Sequence, residues 1–307
     1  MSWNNAVLAY IHQHPHLANW PDSREVLGFF DAKLRTLLPT ALPVHTCHAA
    51  LGDPALAVPL GAAFTLLHMA ASVLDDFQDQ DTDNPWSAWT LDRILSSTLA
   101  MVFLSQSCLA QLDTGERVKR EVIDGYAQGW LLASVGQNRP VQPDELVASY
   151  WRHALAKASI GFAVAAWSGA RIATEEPRAH QAAKEFGMSL GTLLQIADDI
   201  QDFIAAPTAK SPSALSASLP VILASERREH LDHAALVHLI GQEHPRKDSE
   251  WAKSVYELVL SLGGLSKTLE LGKVYEQKAV AALAVFEPDR TAPLIAYARS
   301  ILPSFDA

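Results

Sequence analysis

Positive charge is scarce in this chain: 24 Lys and Arg stand against 34 Asp and Glu, for a formal net charge of −10. Binding nucleic acid requires clustered basic side chains to neutralise phosphates, and no such cluster occurs, so nucleic acid is excluded as a partner. Charge of either sign is also sparse, at 19% of residues, while 49% are hydrophobic, so much of the chain must be buried. There are only two cysteines, Cys47 and Cys108, in no motif, which excludes a disulfide framework and leaves core packing in a reducing compartment. The opening residues, MSWNNAVLAYIHQHPHLANW, have no basic region followed by an apolar run, so no secretory signal is expected and a cytoplasmic location follows. Two uncharged stretches of nineteen residues, 56–74 and 94–112, have the length of membrane spans. Both lack basic flanks and carry internal polar residues such as Thr65, His68 and Ser72, so they are expected to be buried helices without stable membrane insertion.

Strand-like alternation of apolar and polar residues is missing as well, whereas apolar residues recur at helical spacing almost throughout. Breaks fall at WPDS near 20, LGDP near 51, DTDNP near 81, DTGE near 113, GQNRPVQPDE near 136, TEEP near 174, AAPTAKSPS near 205, EHPRKDS near 243 and FEPD near 286. Several of these place acid in a first helical turn, where the helix dipole favours it. The spacing predicts an all-α bundle with helices of about 15 to 30 residues, longer than the usual 11 or 12. No linker or short repeat divides it, so residues 1–307 are read as one domain.

The acid is concentrated at two places. LLHMAASVLDDFQD and LLQIADDIQDF each end an apolar run in aspartates spaced i, i+1, i+4: Asp75, Asp76 and Asp79, then Asp198, Asp199 and Asp202. On a helix, i and i+4 lie on one face, so Asp75 with Asp79 and Asp198 with Asp202 form two ledges of like charge. Like charges at this spacing are unfavourable unless solvated or bridged by cations. Oxygen-only donors suit Mg²⁺ better than Zn²⁺, and Mg²⁺ typically joins protein carboxylate to substrate phosphate.

These two motifs resemble the aspartate-rich motifs of the trans-isoprenyl diphosphate synthases, the polyprenyl synthetase family, and the similarity extends over roughly residues 25 to 302. The resemblance implies a single isoprenoid synthase-type bundle of long helices around a central cavity, commonly paired as a homodimer. It implies a Mg²⁺-dependent prenyltransferase acting on an allylic prenyl diphosphate, with Asp75, Asp79 and Asp198 holding three Mg²⁺ ions. Asp76, Asp199 and Asp202 would support them, completing the six catalytic aspartates. Lys157, Gln195 and Lys210 match positions that contact the allylic diphosphate, although Ala158 replaces a threonine and Leu194 a phenylalanine of the family pattern.

The half of the family site that grips isopentenyl diphosphate departs from the pattern. FFDAKLRTLLP aligns Arg35 with the family arginine, but Ala32 occupies the lysine position and Lys33 follows one place late. His68 is present, whereas no arginine follows the first motif before Arg93. The acceptor is therefore isopentenyl diphosphate or another nucleophile. DDFQDQDTDNPW also resembles the ComQ-type isoprenyltransferases, which prenylate a peptide tryptophan, while Trp86 and Trp89 themselves read as packing aromatics. Ala70 and Ala71, one turn before Asp75, are the expected cavity floor and imply room for a long chain, unless Phe64, Met101 or Phe103 closes it. Two alternatives stay open: a terpene synthase-like enzyme that cyclises or eliminates the bound diphosphate, and a non-catalytic partner subunit of a prenyl synthase.

Overall fold

The computed structural model describes residues 2–79, 84–137, 146–154, 158–208, 212–241 and 249–303. Every regular element among them is helical: α1 Trp3–His12, α2 Ser23–Thr36, α3 Leu42–Ala49, α4 Val58–Asp79, α5 Leu91–Ala110, α6 Glu116–Gln137, α7 Leu146–Ala154, α8 Ile160–Ala173, α9 Pro177–Ala205, α10 Leu219–Ser225, α11 His233–Ile240, α12 Ser249–Ser261, α13 Gly264–Ala282 and α14 Pro288–Ser300. The all-α class is as the periodicity indicates, and α2, α6, α7 and α9 begin at the acidic breaks read from the sequence. Glu176 caps α9 by accepting from the Arg178 amide, with Pro177 at the first helical position, where no backbone bond is lost.

Of the helices described, α4, α5, α6, α9 and α13 have the expected 15 to 30 residues; the others are shorter, and α3 with 8, α7 with 9, α10 with 7 and α11 with 8 are the shortest. Pro43 and Pro220 lie in the first turns of α3 and α10, and a residue without an amide N–H can open a helix but not continue one. Apolar periodicity runs through these points because the residues on either side face the same core.

The two nineteen-residue runs become α4 and α5. About two-thirds of the apolar window of α4 is buried, against less than half of that of α5. The α5 deficit is ordered: Leu91, Leu95, Leu99 and Phe103 recur every fourth residue and are 50%, 46%, 55% and 69% exposed. Leu131, Leu132 and Val135 near the end of α6 are also exposed. Both cysteines are free and buried, which agrees with core use, and burial pushes each thiol up to about 12.

α9 is the axis of the packing. Its Phe186 and Leu190 join the largest buried cluster, Ile196 and Ile200 a second with Tyr150 and Leu219, and Phe203 a third with Val255 and Val259. α8 packs against both α9 and α4. The α8–α9 contact is backbone against backbone: a Cβ added at Gly187 would lie 2.2 Å from the Phe162 carbonyl oxygen, and one at Gly191 2.8 Å from Ser159 Cα. Only glycine permits that approach.

Candidate active site

Helical register sorts the six aspartates. At the end of α4, Asp75 and Asp76 are half-buried, and Asp76 Oδ2 accepts a hydrogen bond from the Trp86 indole Nε1 at 3.1 Å. Trp86 is buried and stacks on Phe30 of α2, with ring centroids 4.9 Å apart. On α9, Asp198 and Asp202 are exposed and Asp199 is buried. Asp199 Oδ1 accepts from Gln195 Nε2 at 3.0 Å, and Oδ2 from the backbone amide of Leu219 at 2.8 Å. Gln195, expected at the substrate, thus spends its amide on Asp199. The Asp79 side chain, Lys157 and Lys210 lie outside the described residues.

Two tyrosines that the sequence reading did not single out adjoin this acid. Tyr150 of α7 is buried; burial first, then the Asp199 charge, pushes its phenol well above the ordinary range, so it stays protonated. Its hydroxyl meets no hydrogen-bond partner of good geometry among the described residues. Tyr297 of α14 is raised to about 12, by burial and then by the charge of Asp198. The one signal available was position: Tyr150 lies seven residues before Lys157 in ASYWRHALAK.

Two turns before the α4 carboxylates, aromatic rings pack together. His68 stacks on Phe64 at 5.8 Å and meets the edge of Phe162 at 5.7 Å. Burial, with a lesser contribution from the charge of Lys33, lowers its pKa to about 4, so the imidazole is neutral near pH 7 and supplies no cation for a phosphate. Phe162 also touches α9 through its carbonyl at Gly187, so one residue ties α4, α8 and α9 together. Trp130 of α6 lies over Gly161 and beside Phe64.

The basic residues expected at the acceptor are engaged elsewhere. Arg35 Nη1 donates to Asn5 Oδ1 at 2.9 Å and its Nη2 lies 3.9 Å from Asp31, which turns it toward α1. Arg93 pairs with Glu25 at 2.8 Å and lies 4.4 Å over the Trp89 ring. Lys33, one place from the aligned position, is the α2 cation whose charge reaches His68. The expected floor is divided: Ala70 is buried in the core and Ala71 is exposed. Of the residues that could close the cavity, Phe64 and Met101 are buried, and Phe103 belongs to the outer α5 stripe.

Among the described residues, no three His, Cys, Asp or Glu side chains converge into a closed metal site. The donor set instead fits a hard divalent ion held partly by substrate: carboxylates one turn apart on an exposed helix end, with the remaining coordination left to water and phosphate oxygens.

The polyprenyl synthetase family model matches residues 38–259, a shorter span than the 25–302 suggested by the motifs and one that leaves α1 and α2 outside. Similar solved structures include geranylgeranyl pyrophosphate synthetase from Pyrococcus horikoshii, at 19% identity, covering 99% of this chain and 95% of that one, with a TM-score of 0.78. A geranylgeranyl pyrophosphate synthase is similar at 15% identity, 96% and 94% coverage and a TM-score of 0.81. Polyprenyl synthase from Caulobacter crescentus, solved with calcium and isoprenyl diphosphate, is similar at 21% identity, 96% and 92% coverage and a TM-score of 0.75. No curated protein matches the chain by sequence.

Proposed function

Since the chain belongs to the polyprenyl synthetase family of prenyltransferases, we propose that it ionises an allylic prenyl diphosphate with the help of Mg²⁺ and passes the prenyl group to an acceptor. The observation that carries this reading is the repeated carboxylate pattern at the ends of α4 and α9. In each, one aspartate is held by a donor from another element, Asp76 by Trp86 and Asp199 by Leu219, and on α9 its neighbours Asp198 and Asp202 are exposed. Asp75, Asp79 and Asp198, with Asp202 beside them, would hold Mg²⁺, three ions in the full complex. Bound there, the metal supplies Lewis-acid stabilisation of charge on the leaving diphosphate.

The chain's own contribution is positioning and exclusion of water. Phe64, His68 and Phe162 form an apolar wall two turns before the α4 carboxylates, which suits an allylic cation that water would otherwise quench. A neutral His68 keeps that wall uncharged. Lys157 and Lys210 are assigned to the diphosphate by family likeness. Isopentenyl diphosphate is one acceptor class, with Lys33 as the α2 cation whose charge reaches His68; the engagement of Arg35 and Arg93 favours, as a second reading, release of diphosphate without that acceptor, as in a terpene synthase.

We read residues 1–307 as one domain, because α9 contributes to all three buried clusters. The exposed apolar stripe of α5 and the end of α6 support pairing as a homodimer, and the burial of α4 supports a cytoplasmic enzyme without a membrane span. The deciding assay is diphosphate release with Mg²⁺ from C10, C15 and C20 allylic diphosphates, each with and without isopentenyl diphosphate. Release only with isopentenyl diphosphate establishes chain elongation. Release without it establishes ionisation toward another acceptor or cyclisation, and no release with any substrate refutes the enzymatic reading.

A further inference from the structure

Adjacent aspartates on a helix point about 100° apart, and at Asp198 and Asp199 this separates an exposed carboxylate from a buried one. Burying a carboxylate is costly unless donors meet it, and Asp199 has two of different origin. Gln195 Nε2 reaches Oδ1 from one turn earlier on α9. The Leu219 amide that reaches Oδ2 is the first of α10, one of the N-terminal donors a helix cannot satisfy internally and the end where its dipole favours negative charge. Tyr150 brings a third element, since it packs in one buried cluster with Ile196 and Ile200 of α9 and Leu219 of α10. Asp199 therefore ties α9 to the start of α10, with α7 packed against both. In the first cluster Asp75 and Asp76 are both half-buried, and Asp76 is likewise tied to another element, through the Trp86 indole.

We propose that Asp199 is a positioning residue that fixes the α9 turn bearing Asp198 and Asp202 against α10 and α7, and that it does not itself meet the metal. This rests on the reading of Asp198 and Asp202 as metal carboxylates. Side chains that orient metal ligands typically govern about 10- to 100-fold in metal affinity.

The test uses the full chain in two measurements: Mn²⁺ uptake followed by electron paramagnetic resonance in the presence of inorganic diphosphate, and thermal melting in metal-free buffer. Asp198→Asn should weaken Mn²⁺ uptake at least about tenfold and leave metal-free melting in place. Asp199→Ala should weaken uptake by about tenfold and also lower metal-free melting. Asp199→Asn should recover uptake to within about threefold of wild type, because its amide can offer oxygen to Leu219 while the Gln195 amide turns to accept from its nitrogen. Should Asp199→Ala not fold, Gln195→Ala removes one anchoring bond and should weaken uptake about threefold.

Asp199→Asn binding as poorly as Asp198→Asn would mean that the Asp199 charge meets the metal, which overturns the proposal. So would Asp199→Ala, or in its place Gln195→Ala, binding like wild type. A wild-type protein that takes up no Mn²⁺ refutes the metal reading of the site instead; equal metal-free melting of wild type and Asp199→Ala would then refute the anchor separately.

Discussion

Replacing Gly187 by alanine tests whether the α8–α9 contact sets the geometry of the site. The added Cβ would lie 2.2 Å from the Phe162 carbonyl oxygen, 2.7 Å from its carbonyl carbon and 2.8 Å from Ala163 Cα. The first contact is about 1 Å short of an ordinary one, and all three partners are backbone atoms that cannot rotate aside. Overpacking of this kind costs about 1–3 kcal/mol, and rigid backbone on the far side places Gly187→Ala at the upper end or above. Alanine's better helix propensity returns about 1 kcal/mol, leaving a net loss of about 2 kcal/mol. With an unfolding entropy of about 2.1 cal/mol/K per residue, a chain of 307 residues should melt about 3 °C lower. Gly28→Ala is the control: it sits inside α2 with nothing within 4 Å of its added Cβ, and it should melt at or above wild type. Differential scanning calorimetry on both variants decides the matter. Gly187→Ala melting no lower than wild type would show that α8 and α9 are not held at backbone contact.

His68 predicts a pH dependence of known sign. Its folded pKa of about 4 lies below the ordinary 6.5, so protonation favours the unfolded chain, and stability present above pH 6.5 is lost as pH falls toward 4. The loss is up to about 3 kcal/mol, and His68→Phe should flatten this part of the curve in denaturant titrations at pH 6.5 and 4.5; an unchanged slope rejects the assignment. Pairing through the α5 stripe predicts that Leu99→Lys with Phe103→Lys lowers the light-scattering mass to that of one 33.4 kDa chain, and a monomeric wild type would remove the basis for it. For chain length, Ala71→Phe is the informative variant, because Ala70→Phe would overpack a buried position. Ala71→Phe should shorten the product or accepted chain while melting normally, and an unaltered chain length excludes Ala71 from the floor.

How much of this was legible in the sequence depends on how far apart in the chain the deciding partners lie. α4 and α9 could be read directly, since a long uncharged run ending in acid at helical spacing has few other realisations. The outward pairing of Asp198 with Asp202 followed from register alone. The inward turn of Asp199 did not, because its fixing donor is the backbone amide of Leu219, twenty residues on, and a backbone amide has no sequence signature. Arg35 illustrates the same limit from the other side. Its alignment pointed to a substrate contact, but its hydrogen-bond partner, Asn5, comes from α1 and is thirty residues away. Arg93 likewise finds Glu25 of α2, and the short helices α3 and α10 were hidden because apolar periodicity continues across Pro43 and Pro220.

The spacing i, i+1, i+4 can be understood from these partners. Two carboxylates one turn apart repel each other, which biases the last turn of a helix toward fraying unless something beyond the pair restrains it. A third aspartate beside the first points about 100° away, where it can accept donors from another element and hold the turn in place. On α9 those donors are Gln195 and the start of α10; on α4 the donor is the Trp86 indole, itself stacked on Phe30 of α2. On α9 the exposed pair Asp198 and Asp202 is thereby backed by a carboxylate that protein donors already meet. Metal would then neutralise only the outer pair, so the charge added on binding goes to the diphosphate and not to a buried aspartate.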